Sequence, residues 1–309
     1  MIKPVSKVEI TILMDNTTDL LLDSNEVAKR PPLYADGLML PPLIAEHGFS
    51  ALVDVYSDSK QRILFDTGVS QTGMLYNIDR LGIDLSSIDA IMLSHGHKDH
   101  FAGLLSTLKR MNRRIPLILH PDAFLQRFLI FPNGDKMKFP VLDETELTNN
   151  GADIRKIREP SAFGDLILAT GEISRENDFE KGFPIQYAEI NNELRPDPLI
   201  MDDQALVANI EGRGIVVITG CGHAGIINTI NYAKKITDVE SVYAVLGGFH
   251  LSGNIFEKII ERTVEQLQKI EPTYIVPCHC TGWKSAHRIA NTMPDAFIQN
   301  SVGTKFVLQ

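Results

Sequence analysis

The stretch Ile88-Asp89-Ala90-Ile91-Met92-Leu93-Ser94-His95-Gly96-His97-Lys98-Asp99-His100 is where this sequence speaks most clearly. An apolar run that reads as a buried strand ends in four metal-capable side chains within six residues, His95, His97, Asp99 and His100. In an extended segment, side chains two apart point the same way, so His95 and His97 can grip one cation. Asp99 and His100 sit where the chain turns into the helix-period run 101–111 and can face a second site. Imidazole with one carboxylate suits zinc, iron or manganese. The bland alternative is a solvated loop that happens to hold three histidines. With nine histidines in 309 residues, that spacing beside an aspartate argues for metal ligation.

Composition sets the outer bounds. A hydrophobic content of 44% and a charged content of 22% describe an ordinary globular chain able to bury a sizeable core. The net charge of −9 argues against nucleic acid or an anionic membrane as the main partner, while leaving room for a small anionic or phosphorylated substrate held by local cations. No segment reaches the roughly 18 apolar residues of a membrane span. The N-terminus alternates like a strand (Val8-Glu9-Ile10-Thr11-Ile12) and has no signal-peptide core. Three cysteines, an odd and low count, make a disulfide scaffold implausible. A cytoplasmic chain is the expectation; oligomeric state is not legible.

Strand-like runs fall at 8–14, 50–56, 62–65, 88–93, 116–120, 166–169, 205–210, 215–219, 242–246, 274–276 and 305–308. Helix-period segments lie between several of them, at 72–81, 101–111, 225–236 and 255–270. Strands in adjacent pairs with helices interspersed fit two packed mixed sheets flanked by helices, an α/β sandwich, better than one parallel sheet. Three spans read as loop insertions in one domain, near 17–42, 131–150 and 171–203. Long loops in a compact domain are commonly binding walls, so 17–42 and 171–203 are expected to wall the pocket.

Further motifs close strands elsewhere. Ile63-Leu64-Phe65-Asp66-Thr67-Gly68 ends a strand in an aspartate that could orient a ligating histidine from behind, or simply form the turn. Thr219-Gly220-Cys221-Gly222-His223-Ala224-Gly225 and Pro277-Cys278-His279-Cys280-Thr281-Gly282 also follow strands, and all three cysteines lie within two residues of these histidines. Structural cysteines would scatter through the core. Cys221 is therefore a candidate metal contact, with Cys278 and Cys280 packing around His279. Gly220-x-Gly222-x-x-Gly225 after a strand, with Glu240 downstream, matches a dinucleotide fingerprint, yet a nicotinamide site leaves the His95–His100 cluster and His279 unexplained. Its physical content can survive as a phosphate site at a helix N-terminus, with Gly222 and Gly225 touching substrate. His250, after Gly247-Gly248-Phe249, either faces the substrate as a catalytic imidazole or packs in the core. His47, His120 and His287 lack such context, although His287 with Lys284 and Arg288 could meet an anion; Asp203 is a further substrate-contact candidate.

His95-x-His97-x-Asp99-His100, with Phe65-Asp66-Thr67-Gly68 ahead and Thr219-Gly220-Cys221 and Val276-Pro277-Cys278-His279 behind, resembles the metallo-β-lactamase superfamily. The motifs span residues 62 to 282. The resemblance implies an αβ/βα sandwich whose motifs converge at one edge and hold one or two divalent metal ions, zinc first, with iron, manganese or magnesium as alternatives. It implies ligands among His95, His97, Asp99, His100, Cys221, His223 and His279, with Asp66 behind them. More narrowly, Asp202-Asp203-Gln204-Ala205-Leu206, the Cys221–Gly225 turn, Gly247-Gly248-Phe249-His250-Leu251 and Cys278-His279-Cys280-Thr281-Gly282 look like the dihydropteroate-synthase-like subfamily of the methanopterin pathway. Its named member joins a dihydropterin-methyl diphosphate to a ribofuranosyl-aminobenzene phosphate and releases diphosphate. One departure stands out. The superfamily supplies a third histidine ahead of the Thr219 strand, and none occurs between His120 and His223, so His223, Asp202 or Asp203 must fill that place.

Three functions follow as expectations. In a metal-dependent transferase, the metal and the Gly222–Gly225 turn hold a diphosphate leaving group while an arylamine attacks. In a metal-dependent hydrolase of an ester, lactone or phosphoester, Asp99 holds or accepts a proton. The third is a metal or thiol sensor, suggested by the cysteines.

Overall fold

The computed structural model describes residues 2–309. Two mixed sheets lie face to face. The first has eight strands in the spatial order Ala152–Lys156, Ile115–Leu119, Ala90–Met92, Lys60–Phe65, Ser50–Tyr56, Lys7–Met14, Lys305–Leu308 and Ala28–Lys29. The second has six, in the order Ser161–Phe163, Ile167–Ala169, Ala205–Ile210, Gly214–Thr219, Val242–Gly248 and Tyr274–Cys278. Each sheet is antiparallel in one half and parallel in the other. Lys60–Phe65, Ala90–Met92 and Ile115–Leu119 run parallel in the first, and Gly214–Thr219, Val242–Gly248 and Tyr274–Cys278 in the second.

Alternation along the strands builds the layers. Ile63 and Phe65 point into the core between the sheets, with Ile10, Val53, Leu206, Ile218 and Leu246, while Leu64 points outward. The outer face of the first sheet is covered by the helices Gly73–Arg80 and Leu104–Met111, through Met74, Ile78, Leu104 and Leu108. The outer face of the second is covered by Ile226–Thr237, Ile260–Ile270 and Trp283–Thr292, through Ile227, Ile230, Val264, Leu267 and Ile289. The inner parallel strands Ala90–Met92, Gly214–Thr219 and Val242–Gly248 are buried on both faces, which is why they read as continuous apolar runs. Among the described residues, no helix is long and apolar enough to cross a membrane.

Several expectations are corrected. The helix expected over 101–111 breaks after Phe101, leaving a single turn, Lys98–Phe101, and a second helix, Leu104–Met111. The break is imposed by the Asp66 turn: Thr67 N–H donates to His100 O and Ala102 N–H to Gly68 O. The spans 131–150 and 171–203 are not loops throughout. Lys136–Lys138, Gln186–Ile190 and Glu193–Pro196 join Arg127–Ile130 in a four-stranded antiparallel sheet, and Glu144–Asn149 is helical. Their signal is weak because Lys136–Lys138 and Glu193–Pro196 are exposed throughout and show no apolar alternation. The span 17–42 contains a small hairpin, Tyr34–Ala35 with Leu38–Met39, turned by Asp36 and Gly37 at φ 52° and 75°. The helix Trp283–Thr292 was not anticipated.

Candidate metal centre

The parallel halves of the two sheets present the carboxyl ends of their strands to one edge of the sandwich. Asp66 follows Lys60–Phe65, His95 follows Ala90–Met92, Cys221 follows Gly214–Thr219, and His250 and His279 follow the next two strands. Clefts at the carboxyl ends of parallel strands are the usual ligand sites of open α/β sheets. Gly96 lets the chain between His95 and His97 pass close against Ala123, because a Cβ there would run into the Ala123 backbone.

Two donor clusters form. In the first, His97 Nδ1 lies 3.0 Å from His95 Nε2 and 3.1 Å from His223 Nε2. In the second are Asp99, His100, Cys221 and His279: His279 Nε2 is 3.2 Å from Asp99 Oδ2, and His100 Nε2 is 3.2 Å from Cys221 Sγ. His223 and Cys221 also approach His250 closely enough for a third grouping.

The chemistry of these donors fits divalent cations. Burial, reinforced by neighbouring imidazoles, holds His95 and His223 well below the ordinary histidine range, and burial pushes His97 down to about 3, so all three rings stay neutral with lone pairs to offer. His279 Nε2 is buried without a hydrogen bond, although it sits beside Asp99. Asp99 is opposed by burial, yet His100 and His279 hold its carboxyl well below the usual range. His100 is likewise opposed by burial, but Asp66 and Asp99 outweigh it and push it up to about 9. Burial raises the Cys221 thiol; a bound cation would reverse that, since a coordinating thiol is deprotonated.

A second ring of contacts aims the ligands. Asp66 Oδ2 is 2.6 Å from His100 Nδ1, and Asp66 also accepts from Ser94 N and Oγ, both at 2.7 Å. Ser94 Oγ is 2.9 Å from His95 Nδ1, and Asn16 Oδ1 is 3.1 Å from His279 Nδ1. Gln186, fully buried in the additional sheet, brings its amide to 3.2 Å from His97 Nε2. Asp66, His250 and His279 all adopt positive φ, at 57°, 46° and 48°. For residues other than glycine that conformation costs about 1–3 kcal/mol each and is retained where geometry is demanding.

The structure brings together His95, His97, Asp99, His100, Cys221, His223 and His279, with Asp66 behind His100. Of the three candidates for the place of the absent histidine, His223 is the one whose ring joins His95 and His97. Asp202 instead accepts from Gly96 N at 2.7 Å and pairs with the buried Arg127, its Oδ1 2.5 Å from Nη2. Asp203 is buried and accepts from Ala224 N at 2.8 Å, so it braces the His223 turn and is not a substrate contact. Lys284 is also displaced from its expected role: it pairs with Glu257 on the surface at 2.7 Å. His47 proves closer than its context implied, with its ring 4.9 Å from that of His279. Gln186, Asn16 and Arg127 were missed, and nothing local in the sequence marks them.

The Gly222–Gly225 turn does not leave an open phosphate site. The Glu180 carboxylate accepts from Ile227 N at 3.0 Å and Asn228 N at 2.9 Å, so it caps the first turn of Ile226–Thr237. Gly225, at φ 91°, leaves room for that carboxylate. Gly222, Gly225 and Glu180 instead line a cleft of about 210 Å³ that is bounded by Phe249, Phe256 and Ile259 and opens on His223 and His250. The His250 ring lies 4.1 Å from that of His223 and 4.3 Å from that of Phe256, and its Nδ1 has no partner among the described residues. Residues 179–184 contribute a wall, as expected of the span 171–203, whereas the span 17–42 lines a separate cavity.

A family model described as the metallo-beta-lactamase superfamily matches residues 44–234. The chain is 33% identical, over 83% of its length and 88% of the relative, to a 7,8-dihydropterin-6-methyl-4-(beta-D-ribofuranosyl)-aminobenzene-5'-phosphate synthase of Methanocaldococcus jannaschii. It is also 33% identical to an uncharacterized protein of that organism, over 88% and 97% of the two chains. A solved metal-dependent hydrolase of the beta-lactamase superfamily superposes with a TM-score of 0.73 at 26% identity over 98% of both chains. A zinc-bound PqqB from Methylobacterium extorquens shares the fold, with a TM-score of 0.51 at 12% identity, covering 97% of this chain and 99% of that one.

Proposed function

The chain belongs to the metallo-beta-lactamase superfamily, and on that footing we propose that it is a metal-dependent transferase joining a dihydropterin-methyl diphosphate to an aminobenzene ribofuranosyl phosphate with release of diphosphate. The observation that carries this reading is the cleft between Phe249, Phe256 and Ile259, which offers a slot for a flat ring at the edge of two adjacent donor clusters. The identity to the Methanocaldococcus synthase over most of both chains supports the choice of reaction.

Divalent cations held by the two clusters would neutralise charge developing on the leaving diphosphate. The protein's own groups do the rest. Phe256 and Phe249 position the ring and keep water from the methylene carbon. His250, on the wall of the cleft, takes the proton that the arylamine nitrogen loses as the new C–N bond forms and the C–O bond to diphosphate breaks. Asp66, Ser94, Gln186 and Asn16 keep the ligating rings aimed. Because Glu180 already caps the adjacent helix, diphosphate is expected at the metal clusters and not on that helix terminus.

The likeness to a solved metal-dependent hydrolase favours a second reading, in which the same centre cleaves an ester, lactone or phosphoester. Incubation with the pterin-methyl diphosphate and the arylamine distinguishes the two. Stoichiometric diphosphate and coupled product support the transferase. Cleavage of phosphodiester or lactone substrates without any coupling supports the hydrolase.

A further inference from the structure

A cavity of about 590 Å³ lies away from the metal centre, within the size range of about 300–1,000 Å³ typical of small-molecule sites. Its floor is the outward face of the first sheet, where Thr11, Leu52, Asp54 and Arg62 alternate with the inward-facing Ile10, Val53 and Ile63. Its other wall is Pro31-Pro32-Leu33-Tyr34-Ala35-Asp36-Gly37-Leu38-Met39-Leu40-Pro41-Pro42, a hairpin bracketed by two proline pairs, with Leu33, Met39 and Leu40 on the lining. The hairpin's two strands pair only with each other. An isolated two-stranded hairpin is marginal in water, so this flap depends on its prolines and on what it packs against.

The charged part of the lining is mostly cationic, with Lys29, Arg30, Arg62, Arg80 and Lys305 against Asp19 and Asp54, in a chain whose net charge is −9. Arg62 is already matched by Asp54, at 2.6 and 2.8 Å. Arg30 is different. Its partly buried guanidinium donates to Asp23 O, Gln299 O and Thr304 Oγ1, and to no carboxylate among the described residues. Burial lowers its pKa, with Asp19 offsetting this only in part. Arg80 lines the same cavity and makes no ion pair among the described residues. Apolar walls beside cations that are in no direct ion pair select a molecule with an apolar body and a negative head.

We propose that this cavity is a second ligand site, separate from the metal centre, for a small organic anion with an apolar body. The segment forming part of its wall also continues to the metal centre: Asp19 lines the cavity, while Asp15 and Asn16 hold His279 through its backbone N–H and its Nδ1.

The test uses the metal-loaded full chain, with anilinonaphthalene sulfonate as a fluorescent reporter and decanoate and decanol as competitors. The expected result is saturable dye binding, displaced by decanoate at concentrations at least about tenfold below those needed for decanol, as one charge-assisted contact implies. Arg80→Glu and Leu40→Glu, both at exposed positions, should each weaken decanoate binding about tenfold or more while leaving metal content and turnover unchanged. Arg30→Gln should do the same to decanoate and little to decanol. Equal competition by the two compounds would overturn the proposal. So would dye binding that survives all three substitutions but is lost in Phe256→Ala, which would place it in the cleft beside His250. A chain that sediments as a dimer, and binds dye only once Tyr34→Ser or Met39→Ser has dissociated it, would assign this face to a second copy and overturn it too.

Discussion

His223 Nε2 lies 3.1 Å from His97 Nδ1, although 126 residues separate them in sequence. That approach places a histidine from the turn after Gly214–Thr219 in the cluster begun by His95 and His97. Three neutral imidazoles then share one point, the donor set of a three-histidine zinc site. Replacing His223 by Ala should remove about one metal equivalent per chain, as should the double variant His95→Ala/His97→Ala. Elemental analysis checks this. A His223→Ala protein with undiminished metal would exclude the ring from the site.

Gln186 is expected to fix the His97 tautomer. A cation on His97 Nδ1 requires a proton on Nε2, and the partner 3.2 Å away is the Gln186 side-chain amide. Its Oε1 is buried and otherwise without a partner, so rotating the amide by half a turn lets that oxygen accept the Nε2 proton. Gln186→Leu should weaken metal binding about 10- to 100-fold, and Gln186→Glu, which keeps an acceptor, should restore most of it. Metal titration against a competing chelator measures both. Equal losses in the two variants would reduce Gln186 to a packing residue.

His250 should prove catalytic. His250→Ala is expected to lower turnover by about 10²- to 10⁴-fold while sparing metal content and the melting temperature. A ring that mattered only for packing would instead show a stability loss of roughly 2–5 kcal/mol. One rate assay and one melting curve separate the outcomes.

Glu180 should be structural. Its carboxylate accepts two backbone N–H groups at the start of Ile226–Thr237, and its third contact is Asn177 Nδ2 at 2.6 Å. Glu180→Ala is expected to cost about 2 kcal/mol by denaturant unfolding, the scale of a lost charged cap. If the variant keeps full stability and gains affinity for inorganic diphosphate, the carboxylate is a displaceable plug.

Asp203 offers a pH test. Burial raises its carboxyl to about 6, partly countered by the Ala224 N–H bond, against 3.8 for the ordinary group. Between those values the folded protein binds the proton that the unfolded chain releases, so raising the pH through this window lowers stability; above about 6 the loss is complete. Asp203→Asn keeps an acceptor for Ala224 N and removes the titration. In metal-free protein the stability of the variant relative to the parent should rise by up to roughly 3 kcal/mol as pH rises from 4 to above 6. A parent-minus-variant difference that stays flat over that range would show that Asp203 ionises freely.

The sandwich and the run of metal-capable residues at its strand ends were legible because they are local properties. Buried parallel strands announce themselves as apolar runs, and each run ends in its own histidine, aspartate or cysteine motif, as at Leu93-Ser94-His95 and Val276-Pro277-Cys278-His279. What local pattern cannot carry is which motifs meet. His223, Asp202 and Asp203 were all candidates for one position. The choice was made by the packing of one sheet on the other, which turns His223 inward, sends Asp202 to Arg127 and folds Asp203 beneath Ala224. Gln186 reaches His97 from a strand with almost no apolar signature, and Glu180 fills a helix terminus that the glycine motif alone would leave open. The span 17–42 likewise walls a different cavity from the one expected, because a loop's composition says that it is exposed and not which face it crosses. Side chains tens of residues apart become neighbours only through long-range strand pairing and sheet packing, so the residue types could be read from the chain while their partnerships were set by the fold.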